Sequence, residues 1–126
     1  MRYRHIEDSL QIACVKWFSL QYPKLARCLH HSPNGGKRNA REAARFKEMG
    51  TRPGFPDLFL MFPNKSYHGL FIELKSPKGT VQESQKEFKE LSESLGYRYG
   101  ICRSIEEFQN TIDTYLSQDN KLLKKI

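Results

Sequence analysis

Three charged residues stand in an otherwise apolar stretch. Asp57 sits at the mouth of DLFLMF, while Glu73 and Lys75 lie inside LFIELK, and SYHG with its neighbours separates the two runs. Strand alternation places Leu70, Ile72 and Leu74 on one face and Phe71, Glu73 and Lys75 on the other. If the chain folds back between the runs, antiparallel pairing brings Asp57 within about 5 Å of Glu73 or Lys75. Two carboxylates at that separation repel each other unless a cation compensates them. Hard oxygen donors of this kind suit a magnesium or manganese ion. The plainer alternative is that Glu73 and Lys75 form an ordinary ion pair on a solvated strand face. The apolar surroundings favour the metal.

Other residues could support such chemistry. In the segment after the two runs, Val81, Phe88 and Leu95 mark the inward side of a helix, and Gln85 falls among them. An inward amide needs a partner. A metal-bound water, Lys75 or a phosphate would serve, as would a backbone group at the edge of the core. Gln82 falls on a different, solvent-facing side. Asn34-Gly35-Gly36 reads either as a plain loop or as a clamp on a phosphate backbone, because glycines let N–H groups approach an anion closely. Lys37, Arg38 and Arg41 follow at once, and Arg45, Lys47 and Arg52 extend a basic track. Such contacts position a polyanion without reading its sequence. His30 and His31 point to opposite sides of a strand and cannot share one ion there. Trp17 reads as a core residue.

The elements that must hold these residues follow from local signals. A helix is predicted over His5–Leu20, with Ile6, Leu10, Ala13, Cys14, Trp17 and Phe18 inward, and Tyr22-Pro23 ends it. LARCLHH (25–31) reads as a strand. NAREAARFKEM reads as a short helix capped by Asn39 with Glu42, and Gly50 stops it. The two apolar runs make a hairpin. A capping box at Thr80 and Glu83 launches a helix to about Leu95, and YRYGICR (97–103) is a strand. A further box at Ser104 and Glu107 opens the last helix, striped by Ile105, Phe108, Ile112, Tyr115 and Leu116. Residues 117–126 are expected to fray. The order α-β-α-β-β-α-β-α implies an α/β fold with one mixed β-sheet flanked by helices.

The chain has 126 residues, 21 Lys and Arg against 14 Asp and Glu, and a formal net charge of +7. That length suits a single domain, 1–126. Between Lys24 and Arg52 eight basic residues face two acidic ones, so most of the surplus is concentrated there. A focused positive field favours a polyanion, nucleic acid foremost. Three scattered cysteines, with no CxxC pair, indicate neither a zinc ribbon nor a disulfide framework. No apolar leader or membrane-length run is present. The expectation is a reducing, cytoplasmic setting with no membrane contact and no small-molecule cofactor.

Pro56-Asp57 followed by Glu73-Leu74-Lys75 resembles the PD-(D/E)xK nuclease signature. Together with Asn34-Gly35-Gly36, Gly50-Thr51-Arg52-Pro53-Gly54-Phe55-Pro56-Asp57 and the helix bearing Gln85, it resembles the virus-type replication-repair nuclease (VRR-NUC) domain over Glu7 to about Phe108. The resemblance implies a restriction-endonuclease-like core and a Mg2+- or Mn2+-dependent phosphodiesterase. Asp57, Glu73 and the Leu74 carbonyl would hold the metal, and Lys75 would orient the attacking water. Glu7 would complete the acidic cluster, although it could equally do no more than complement its helix dipole. Also implied are DNA as partner, a preference for branched DNA of the Holliday-junction type in replication or repair, a homodimer and an origin of bacterial or phage type. The competing readings are a flap, duplex or single-strand nuclease of the same fold, and a non-catalytic DNA-binding module.

Overall fold

The computed structural model describes residues 2–33, 39–118 and 121–126, with side chains from residue 5 onward. The elements in chain order are α1 (Arg2–Gln21), a 3-10 helix (Pro23–Cys28), β1 (Leu29–His31), α2 (Ala40–Glu48), β2 (Leu58–Leu60), β3 (Leu70–Leu74), α3 (Glu83–Ser94), β4 (Arg98–Cys102), α4 (Ile105–Ser117) and α5 (Lys121–Lys125). One mixed sheet runs β1-β2-β3-β4. The first three strands pair antiparallel, and β4 lies parallel to β3. The mixed α/β architecture read from the sequence is the one observed.

The hairpin register sets Leu58 opposite Ile72 and Leu60 opposite Leu70. These side chains share the sheet face covered by α1 and α4. Cys14 and Phe18 from α1 and Phe108, Ile112, Tyr115 and Leu116 from α4 complete the buried core there. On the opposite face Phe59 stacks on Phe71 with ring centroids 4.5 Å apart, and Phe88 of α3 meets Phe71 edge-on at 5.1 Å. With both faces covered, every residue of β3 is buried. The solvated-face reading of Glu73 and Lys75 fails for this reason, since only 4% and 7% of their surfaces are exposed.

Several local expectations need correction. Residues 23–28 wind as a 3-10 helix, leaving only Leu29–His31 as strand. Pro at its start and Leu25 and Cys28 at a spacing of three suit that helix's three-residue turn. In α1 the inward side is Leu10, Cys14, Trp17 and Phe18, whereas Ile6 is exposed and so is Ala13. The cap of α3 is Gln82, paired with Gln85, in place of Thr80 with Glu83. The helix ends at Ser94, so Leu95 falls past its last turn and is exposed. Beyond Ser117 the chain forms α5, with Leu123 packed against the core, where fraying was expected. Asn39 caps α2 as expected, accepting from the Glu42 N–H at 2.8 Å. Among the described residues no helix is long and apolar enough to cross a membrane.

Candidate active site

Extending the β2–β3 register by one residue sets Asp57 opposite Glu73. The Asp57 carboxylate is pinned there: its Oδ2 accepts from the Leu74 N–H at 2.7 Å. Its carbonyl accepts from the Ser32 N–H at 3.0 Å and from His31 Nδ1 at 3.1 Å. Gly54, three residues earlier, adopts φ +83°, and a side chain there would run into the Ser84 carbonyl. The loop carrying Asp57 is thereby pressed against the start of α3.

Glu73 is gripped from two sides. Its Oε2 accepts from Gln85 Nε2 at 2.9 Å, and Lys75 Nζ lies 3.8 Å from the same oxygen. Gln85 is itself fixed, because its Oε1 accepts from the Gln82 N–H at 2.8 Å. The expected partner for the inward amide is therefore corrected to the Glu73 carboxylate. Glu7 arrives from α1, and its Oε2 accepts from the Ser76 N–H at 3.1 Å. The carboxylate faces the strand turn, so it does more than complement a helix end.

The electrostatics are those of crowded acids. The Glu73 carboxyl is pushed up to about 9, first by burial and then by the charge of Asp57, with Lys75 pulling the other way. A proton on Glu73 can bridge to Asp57. Burial also raises Asp57, against the Leu74 hydrogen bond, while the Glu7 charge raises it further. The second carboxylate oxygen of Glu73, Oε1, is buried with no hydrogen-bond partner among the described residues. An acceptor in that state costs on the order of 1–3 kcal/mol unless a cation or proton meets it.

Glu7, Asp57, Glu73, Leu74, Lys75 and Gln85 line one cavity of about 500 Å³. Asp8, Gln11, His31, Gln82 and Ser84 line it too. Nothing in the spacing of His31 marked it, since only the sheet turns it toward Asp57. Arg41 and Arg45 lie exposed on α2, and Arg52 is exposed beyond it, its Nη1 donating to the Lys47 carbonyl at 3.3 Å. Asn34, Gly35, Gly36, Lys37 and Arg38 lie outside the described residues.

Among the described residues no group of three or more His, Cys, Asp or Glu side chains is arranged to hold a metal ion. Magnesium, however, is commonly held by one or two carboxylates with the remaining positions left to water and substrate phosphate. Two acid side chains with one orphaned oxygen fit that pattern. Such acids could bind a divalent ion, and the adjacent ammonium could face an anionic substrate at the cavity mouth.

The family model described as the VRR-NUC domain matches residues 6–106. A solved structure named "VRR_NUC domain protein" superposes with a TM-score of 0.79 at 32% identity, covering 90% of each chain. No curated protein matches the chain. The sheet, the paired acids with their neighbouring lysine and these two likenesses agree: the chain belongs to the VRR-NUC domain family of the PD-(D/E)xK nuclease superfamily.

Proposed function

We propose that the protein is a divalent-metal-dependent endonuclease that hydrolyses DNA phosphodiester bonds, with a preference for branched DNA. One observation carries the catalytic part. Glu73, which lines the cavity beside Asp57, keeps one buried oxygen without a hydrogen-bond partner among the described residues. Asp57 and Glu73, with the Leu74 carbonyl, would hold magnesium or manganese. Bound there, such an ion would lower the pKa of water and offset the charge building on the phosphate.

The chain's own residues do the rest. Asp57 is oriented by the Leu74 amide and Glu73 by Gln85, so neither acid must reorganise when a substrate arrives. Lys75 holds its ammonium beside Glu73 and would stabilise negative charge at the attacked phosphate. Glu7 adds a third acidic side chain on the α1 side. The exposed cations of α2 and Arg52 would follow the DNA backbone without reading bases.

The preference for branched DNA rests on the family resemblance. So does the homodimer, which the surface of α1 also supports. Ile12, Val15 and Leu20 are exposed along one side of that helix. Asp8 and Lys16 bracket Ile12 there, so an antiparallel second copy would meet opposite charges. The deciding experiment incubates purified protein with labelled four-way, flap, duplex and single-stranded DNA in magnesium, manganese or EDTA. Cleavage of the four-way substrate with metal and none in EDTA supports the reading. Binding without cleavage under every condition would leave a non-catalytic module.

A further inference from the structure

The turn that follows Lys75 is clamped by a side chain from outside the cavity. Arg103 is the first residue after β4, and its Nη1 donates to the Ser76 carbonyl at 2.8 Å and to the Gly79 carbonyl at 2.7 Å. Both protons of that nitrogen are thereby engaged. The turn already closes on itself through the Gly79 N–H and the Ser76 carbonyl at 3.0 Å. The guanidinium adds two charge-assisted bonds to a link that local geometry could have made alone. Arg103 is itself anchored, its backbone N–H donating to Glu107 Oε1 at 2.6 Å beside the capped start of α4.

What the clamp holds is the seat of Glu7. Ser76 is fully buried, and its amide is the donor to Glu7 Oε2 across a sequence separation of 69 residues. Gly79 closes the other side: a Cβ there would stand 3.0 Å from Ser76 Oγ and 3.3 Å from Glu7 Oε2. Glu7 is a long, rotatable acid whose charge reaches Asp57 and Glu73. The Ser76 amide fixes where that carboxylate stands.

We propose that Arg103 is a positioning residue: by clamping the Ser76–Gly79 turn it presents the Ser76 amide to Glu7 and so sets that carboxylate against Asp57 and Glu73. The consequence for metal affinity rests on the nuclease reading above. Arg103 lines no part of the cavity and acts only through the turn.

The test uses the full chain with Arg103→Met, Arg103→Lys, Glu7→Gln and the Arg103→Met/Glu7→Gln pair. Two readouts need no DNA: hydrogen exchange at the Ser76 amide in metal-free protein, and Mn2+ binding by calorimetry. Arg103→Met should speed Ser76 exchange, whereas Glu7→Gln, whose amide oxygen still accepts from Ser76, should leave it near the wild-type rate, and each should weaken Mn2+ binding about 10-fold. The pair should be no weaker than the worse single variant, because the clamp acts only through the Glu7 carboxylate, which Glu7→Gln has already removed. Arg103→Lys, which keeps a donor, should recover most of the affinity. Unchanged Mn2+ affinity in Arg103→Met, or fully additive losses in the pair, overturns the role. Should Arg103→Met not fold, Gly79→Ala tests the same seat with Arg103 intact. It should weaken Mn2+ binding, and unaltered affinity there also overturns the proposal. Wild-type protein that binds no Mn2+ refutes the metal site itself. Wild-type binding with an indifferent Arg103→Met refutes only the clamp.

Discussion

Gln85 bonds Glu73 with one end of its amide and the backbone of Gln82 with the other. One side chain thus caps α3 and orients an acid of the site. Gln85→Ala should lower DNA cleavage by about 10- to 100-fold, as loss of an orienting partner does around metal ligands. The same change should cost about 1 kcal/mol of stability through the lost cap. Urea unfolding and single-turnover cleavage measured on one preparation separate the two effects. A loss of stability with full activity would detach the cap from the chemistry.

Asp57→Asn keeps an oxygen that can accept from the Leu74 amide, so the local fold should survive while the charge is lost. Cleavage should fall at least about 10²-fold. Lys75→Ala should do the same for a different reason, since it removes the only ammonium paired with Glu73 among the described residues. Circular dichroism should show folded protein in both. Full cutting by either variant would remove that residue from the site.

The proton held by Glu73 has a stability signature in metal-free buffer. Its folded pKa of about 9 lies above the ordinary value of 4.5, so between those values the folded state binds more protons than the unfolded one. Stability should therefore fall as pH rises through that window, on the order of 1 kcal/mol per pH unit. Asp57 is shifted in the same direction and adds to the slope. Glu73→Gln should flatten it, as measured by urea unfolding from pH 5 to 9 in EDTA. An identical slope in the variant would mean that Glu73 does not carry the proton.

Arg45 lies exposed on α2, among the basic residues proposed to follow the DNA backbone. Arg45→Ala should weaken binding to all DNA forms alike and reduce the salt slope by about 1. Fluorescence anisotropy across a salt series measures this. An unchanged slope would take Arg45 off the track.

Cys14 and Cys102 are buried, and the Cys14 thiol is pushed up to about 12, mainly by that burial. Cys28 is half-buried. A thiol reagent at neutral pH should modify Cys28 well before the other two, and all three should react in denaturant. Early labelling of Cys14 would contradict the packing of α1 on the sheet.

The sequence by itself determined those features whose physics is short-ranged. Alternation along LFIELK set Glu73 and Lys75 together, Asn39 and Ser104 announced their helices, and Pro56-Asp57 with Glu73-Leu74-Lys75 carried the family resemblance. Only the tertiary structure decided which partner each group met. The Gln85 amide could have reached several acceptors, and packing of α3 on the sheet selected Glu73. Glu7 is seated by Ser76, His31 is turned toward Asp57, and Arg103 crosses to the Ser76–Gly79 turn. These pairings join residues far apart in sequence. Local propensity reaches only three or four residues along the chain, whereas such contacts exist only once the register of the strands and the burial of both sheet faces are set.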